Sequence, residues 1–422
     1  MRFNWVVFLC LILINGNVRS QSDVIELNHT VNFKSSSKIS DSIKKDIQLR
    51  SKPINSLTSI NFDDLNFISN VIDTTSHILL GESSHYIGEY NSLRVRLIKY
   101  FHEELGYNVL AFEAPFSNLN FVSQNRDFLD IYQMLRLGLY PIMHCEELLD
   151  FMTYLKQHPD LKIIGFDCQE KNIDSLVIGS YSQKIQQMDS LFKLNYQKII
   201  QTFKEQCKKL AMNQNESFLN TNDSLVKEVE ILNSALIENQ INDVDLLFHM
   251  KNIKQSIQYR SELAKGVFSN AMIFRDSLMA ENLIEILKLK YPTSKAIVWG
   301  HNAHLSNKSI YMDYPKPMGE FLNQKLNTYS IGLYAYSGNF GRNTKAIKIK
   351  KPKKYNLEFL LHENRMPISF IDLKSTSNSK WLFETFKTLN TSHGVMSIIP
   401  ATDFDAIIFF DKVNKPKYIN TH

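Results

Sequence analysis

The chain has 422 residues, 44% of them hydrophobic and 11% aromatic, and a formal charge of +5. Such a length and apolar share can bury a substantial core, as one large domain or several smaller ones. The charge is too mild for a nucleic-acid footprint, and it falls by two if Arg2 and Arg19 leave with a leader, so a DNA or RNA partner is excluded.

Residues 1–20 read as a secretory signal. Arg2 stands in a short basic region, Trp5 to Ile14 form an apolar stretch, and Val18-Arg19-Ser20 make a small-residue cleavage site before Gln21. The stretch is too short to cross a bilayer comfortably, so a secreted or periplasmic protein without stable membrane insertion is expected, an uncleaved anchor being the plainer alternative. Cleavage removes Cys10 and leaves Cys145, Cys168 and Cys207, an odd number that permits one bridge but no complete disulfide framework. None has the paired spacing of a zinc site, and Cys168, just after a strand, reads as a buried thiol.

Residues 21–56 are polar and Ser/Lys-rich and read as a loosely packed lead-in to a domain covering 57–422. Within that domain, Gly81 to Phe116 organises the rest. His77 to Leu80 is an apolar strand that ends in the polar turn Gly81-Glu82-Ser83-Ser84-His85. From Tyr86 to Leu105 the residues Leu93, Leu97, Ile98, Phe101 and Leu105 recur at helical spacing, with Gly106 as a stop. Asn108 to Phe112 is then a second buried strand, closed by Glu113 and broken by Pro115. A right-handed crossover makes the two strands parallel neighbours whose ends, Glu82 and Glu113, share the edge where open α/β sheets bind ligands.

Helices are expected over Asn125–Leu139 and Glu146–Gln157, and a third strand over Lys162–Phe166, ending in Asp167. Residues 174–268 are polar and helical in period, with an interruption near Asn213 to Asp223. They read as a helical insertion, either a solvated hairpin on the sheet or a wall of a cleft. Arg275 to Lys290 is an amphipathic helix returning the chain to the sheet. Ala296 to Trp299 is a fourth buried strand, followed by Gly300-His301-Asn302-Ala303-His304. Thr328–Tyr336 and Ala406–Phe410 supply two more strands, and Lys345–Lys350, Asn356–Leu361 and Pro367–Leu373 suit further strands or short helices.

Four apolar strands thus end in ionisable groups: Glu82 with His85, Glu113, Asp167, and His301 with His304. Singly, each has a plainer reading as a helix cap, a surface histidine or half of an ion pair. Jointly they point to a cleft, since burying so many ionisable groups is expensive. Carboxylates beside imidazoles can hold a water and remove its proton, and Arg94 can steady an oxyanion or pair with a glutamate. No G-x-S-x-G elbow, P-loop or Gly-rich dinucleotide turn is present, so Ser83 and Ser84 read as turn residues. Attack by water under general-base catalysis is the reading that remains, with metal or haem binding by the same acids and imidazoles as the alternative.

The motifs GESSH, the first arginine of LRVRLI, AFEAP, GFDCQ, RDSLMAEN and WGHNAHL, in this order over about residues 60 to 411, resemble those of the erythromycin esterase family. That family is similar in fold to the haem-associated ChaN-like proteins. The resemblance implies a three-layer α/β/α fold with a largely parallel central sheet and a helical part forming one cleft wall. It also implies a site of Glu82, His85, Arg94, Glu113, His301 and His304. His85 would be the base that activates water to open a macrolide lactone, with Glu82 and Glu113 orienting it and the water. His301 and His304 would position water or steady the oxyanion. The expectation is therefore a monomeric carboxylic ester hydrolase acting on a small-molecule ester or lactone. No cofactor is expected, and a divalent metal is left open.

Overall fold

The computed structural model describes residues 39–419 apart from 171–173, 187–189, 242, 309–315, 343–344, 375–378 and 391–393. The secretory signal, Cys10 and most of the lead-in lie outside the described residues. In chain order the strands are β1 (Ser51–Pro53), β2 (His77–Leu80), β3 (Val109–Pro115), β4 (Lys162–Asp167), β5 (Ala296–Trp299), β6 (Thr328–Phe340), β7 (Ile347–Lys348), β8 (Ile368–Asp372), β9 (Phe386–Asn390), β10 (Gly394–Ile398) and β11 (Ala406–Val413). Nine of them form one sheet in the order β1-β8-β11-β6-β2-β5-β3-β4, with β7 on β6, while β9 and β10 pair separately. The run from β11 to β4 is parallel throughout, while β8 and β7 lie antiparallel to β11 and β6.

Strand periodicity divides the core into the layers on either side of the sheet. Ile78, Leu80, Leu110, Phe112, Ile297 and Trp299 join one apolar cluster with Leu93, Leu97, Ile98 and Phe101 of the helix Gly88–Glu103. Leu79, Val109, Ala111, Ala296 and Val298 join another with Met279, Leu283 and Ile286 of the helix Phe268–Lys290. The chain is therefore an α/β protein with a mostly parallel sheet between helical layers. Among the described residues, no helix is long and apolar enough to cross a membrane.

Several elements differ in extent from the sequence reading. The helix expected over Asn125–Leu139 is confined to Ile131–Gly138, where Asp130 caps it with a reciprocal bond to Gln133, and a helix that was not expected, Phe116–Asn125, precedes it. Part of the lead-in is ordered: Asp41–Arg50 is a helix that buries Ile47, and β1 pairs with β8 at the sheet edge. Hydrophobic patterning missed this because a single buried face of a short polar helix carries little signal. The insertion consists of the helices Ser175–Gln186, Ser190–Ala211, Asn215–Glu238 and Val244–Ala264. Its interruption is shorter than expected, a turn at Asn213 with φ +58°, after which the helix resumes at Asn215. Cys145 and Cys168 are buried free thiols.

Candidate functional site

The strands β2 and β3, expected to be neighbours, are parallel but not adjacent: β5 lies between them, and the ends of all three come side by side. At the end of β2, Gly81 is required by contact: a Cβ there would collide with the Asn302 side chain. Asn302 in turn ties the strand ends together, its backbone N–H donating to the Glu82 carbonyl at 2.8 Å and its Nδ2 to the Leu333 carbonyl at 3.1 Å. The six residues singled out from the sequence converge at this edge, and Asp167 joins them.

Glu82 is fully buried and divides its carboxylate between two partners. Oε1 meets His85 Nδ1 at 2.7 Å, and Oε2 accepts from Arg94 Nη2. Because an ionised carboxylate only accepts, the His85 proton sits on Nδ1 and leaves Nε2 as a base. Arg94 stands behind Glu82 and not in the cleft: it is inaccessible to solvent, its guanidinium lies 3.9 Å over the Trp299 ring, and Nη2 also donates to Asn91 Oδ1 at 3.0 Å. Of the two roles the sequence allowed Arg94, the glutamate ion pair is the one observed.

Glu113 is the second centre. Its Oε2 accepts the His301 backbone N–H at 2.9 Å, and Oε1 takes Arg275 Nη2 at 2.8 Å and lies 3.4 Å from His304 Nε2. Burial opposes ionisation of Glu113, but the charges of His304, Arg275 and His85 outweigh it and hold the carboxyl down at about 2. His301 is buried, and its Nδ1 accepts from Ala303 N at 3.1 Å, which leaves the proton on Nε2. His304 is also buried, with Nδ1 2.6 Å from Asp276 Oδ1. Burial pulls His304 down, yet Asp276 and Glu113 prevail and raise its pKa above the ordinary imidazole value.

Asp167 closes the cluster from β4. It receives Arg275 Nε at 3.0 Å and Nη2 at 2.6 Å, a bidentate pair, and the Tyr140 hydroxyl at 2.9 Å. Burial first, and then the Asp167 charge, push the Tyr140 phenol well up, so it stays a donor. The insertion reaches the site from behind, where Asn252 Nδ2 donates to the Asp167 carbonyl at 3.0 Å.

A cleft opens onto this cluster between Glu82, His85, Phe112, Glu113, Leu139, Tyr140, Ile142, Met143 and Trp299. A larger groove on the insertion, lined among others by Leu247, Phe248, Lys251 and Glu285, shares no residue with it. The side chains of His85 and Glu113 are 15% and 11% exposed, against 0–1% for Glu82, Arg94 and His304, so solvent reaches the cluster through the first two. The serines beside them are committed to the turn: Ser83 Oγ meets Tyr90 OH at 3.0 Å and Ser84 Oγ accepts from Tyr86 N. Water-directed base chemistry is what such an arrangement can perform.

Sequence reasoning overlooked Arg275, Asp276, Trp299 and Tyr140. The first two sit in RDSLMAEN, read as an ordinary amphipathic helix. The signal was there in the adjacent opposite charges, since Leu278, Met279 and Leu283 around them mark the buried face.

Comparison with known proteins agrees with this architecture. The profile of the family described as Erythromycin esterase matches residues 102–413. YbfO of Bacillus subtilis, whose name describes it as a presumed hydrolase, is 28% identical over 417 residues, spanning 87% of this chain and 90% of that one. Erythromycin esterase type II of Escherichia coli is 25% identical over 318 residues, 66% of this chain and 73% of that one. Among solved structures, a mutant of the erythromycin esterase EreC in its open conformation superposes with a TM-score of 0.65 at 15% identity, covering 88% of this chain and 99% of that one.

Proposed function

This chain belongs to the erythromycin esterase family, and from that premise we propose that it hydrolyses carboxylic esters, a macrolide lactone among them, by water attack with His85 as general base. The observation that carries the proposal is the Glu82–His85 pair: Nδ1 is held at 2.7 Å by a buried carboxylate while the ring edge is exposed to the cleft. A neighbouring carboxylate fixes the tautomer and favours the imidazolium that forms when a proton is taken.

In the proposed reaction a water in the cleft attacks the ester carbonyl carbon and gives its proton to His85 Nε2. The tetrahedral intermediate collapses as the carbon–oxygen bond to the leaving group breaks, and His85 returns the proton to the departing alkoxide. An open ester yields an acid and an alcohol, whereas a lactone yields a single hydroxy acid. Glu82 keeps His85 oriented, and Glu113 orients water beside it. His301 and His304 support Glu113 and the developing charge. Residues 1–20 place this activity outside the cytoplasm in the same proposal, and the protein works as a monomer without a cofactor.

Incubation with erythromycin followed by mass spectrometry tests the reading. Wild type should add one water to the macrolide, His85→Ala should not, and chelator treatment should leave the rate unchanged. An intact macrolide with wild type removes the lactone, and failure to hydrolyse simple p-nitrophenyl esters as well removes the esterase.

A further inference from the structure

Arg275 and Asp276 are consecutive on the helix Phe268–Lys290, yet they serve different partners. Arg275 spans Asp167 and Glu113, while Asp276 is fully buried and turns to the other side. Both Asp276 oxygens are engaged: Oδ1 with His304 Nδ1 at 2.6 Å, Oδ2 with the Met318 backbone N–H at 2.9 Å. A carboxylate cannot donate, so Nδ1 of His304 carries its proton whether the ring is neutral or cationic. In the neutral ring Nε2 is then an acceptor, and it faces the Arg275 Nη1 donor at 3.0 Å, with Glu113 Oε1 3.4 Å away.

We propose that Asp276 is a positioning residue of the reaction: by keeping the His304 proton on Nδ1 it leaves Nε2 to accept from Arg275 Nη1, and so steadies the guanidinium that holds Glu113 at the cleft beside His85. The proposal rests on the esterase reading for its kinetic consequence, not for its geometry. The ring of His304 is faced by Asp276 and Arg275 from one helix, by Glu113 from β3, and by His301 from its own turn at 6.4 Å between ring centroids. Losing the Asp276 charge would therefore change one of two carboxylates that hold the ring.

A merely structural Asp276 would matter only through Met318, and one substitution separates the two roles. In Asp276→Asn the amide oxygen can keep the Met318 N–H, but the NH₂ group then faces Nδ1 and forces the proton to Nε2, the wrong tautomer. Nitrogen-15 spectra of histidine-labelled protein, with His304 assigned by its loss in His304→Gln, should show Nδ1 protonated in wild type at every pH. The same spectra of Asp276→Asn should show the neutral ring protonated on Nε2. On a p-nitrophenyl ester, kcat should fall on the order of 10²-fold or more with KM within about threefold, and the acid limb of the pH profile should move. A wild-type ring protonated on Nε2 alone overturns the proposal, even if the variant does not fold. So does a variant whose tautomer flips while kcat holds. If wild type hydrolyses no ester, the function proposed above falls, and the wild-type spectrum still decides where Asp276 holds the proton.

Discussion

The ring of His85 lies 5.0 Å from that of His301, centroid to centroid, at a tilt of 55°. His301 cannot swing away, because Glu113 holds its backbone N–H and its own Nδ1 takes that of Ala303. The base in the proposed reaction therefore works against a fixed wall. His85→Ala should lower hydrolysis on the order of 10²- to 10⁴-fold while leaving the urea midpoint nearly unchanged, since the side chain is partly exposed and its removal strands no cation. Undiminished hydrolysis by purified His85→Ala would assign the base elsewhere.

Glu82→Gln should damage both activity and stability. Arg94 is buried against Trp299 with Glu82 as its carboxylate partner, so neutralising Glu82 leaves a buried guanidinium without its counter-charge. Breaking such a pair from one side costs about 3–5 kcal/mol. Urea unfolding should show it, and an unchanged midpoint would mean that the pair is far better solvated than its burial implies.

Arg275→Lys keeps the charge but not the fork. The bidentate bond to Asp167 and the bond to Glu113 come from one planar group, and an ammonium cannot reproduce that geometry. Activity should fall at least about tenfold, with Arg275→Ala far less stable because two buried carboxylates lose their cation. Equal activity of the Arg275→Lys variant and wild type would demote the fork to simple charge balance.

Glu170 gives a prediction for stability between mildly acidic and neutral pH. Burial lifts its pKa to about 7, outweighing its bonds to Ser117, and its Oε1 has no hydrogen-bond partner among the described residues. The folded state keeps a proton that the unfolded chain, with an ordinary carboxyl of 4.5, has already released. Stability should therefore fall as pH rises from about 4.5 to about 7 and stay reduced above that, by a few kcal/mol. Glu170→Gln should match wild type near the lower limit and unfold at a higher temperature at pH 8. Thermal scans giving the same offset at both pH values would deny the titration.

Much of this site was legible because its residues follow uninterrupted apolar strands: Glu82, Glu113, Asp167 and His301 each mark where a buried run turns polar. Parallel strands buried on both faces announce themselves by composition, and a crossover helix fixes which ends coincide. Arg275 and Asp276 gave a weaker sign, two opposite charges beside the apolar face of a helix, because a helix hides which of its charges point inward until its partner surface is known. Tyr140 and Trp299 were obscured differently. An aromatic residue reads as core in any sequence, and only position showed one holding Asp167 and the other lying against Arg94.

The placement of β5 also governs how the molecule can be made. β2 and β3 are separated by one helix in sequence, yet they do not touch, because the strand that fills the gap arrives only at Ala296–Trp299. Until that segment leaves the ribosome, two apolar strands have open edges facing each other, the condition that invites wrong pairing or capture by another chain. Contacts so distant in sequence also make for slow closure. In refolding from denaturant, helical signal should return early and hydrolysis late, limited by the entry of β5 between its neighbours.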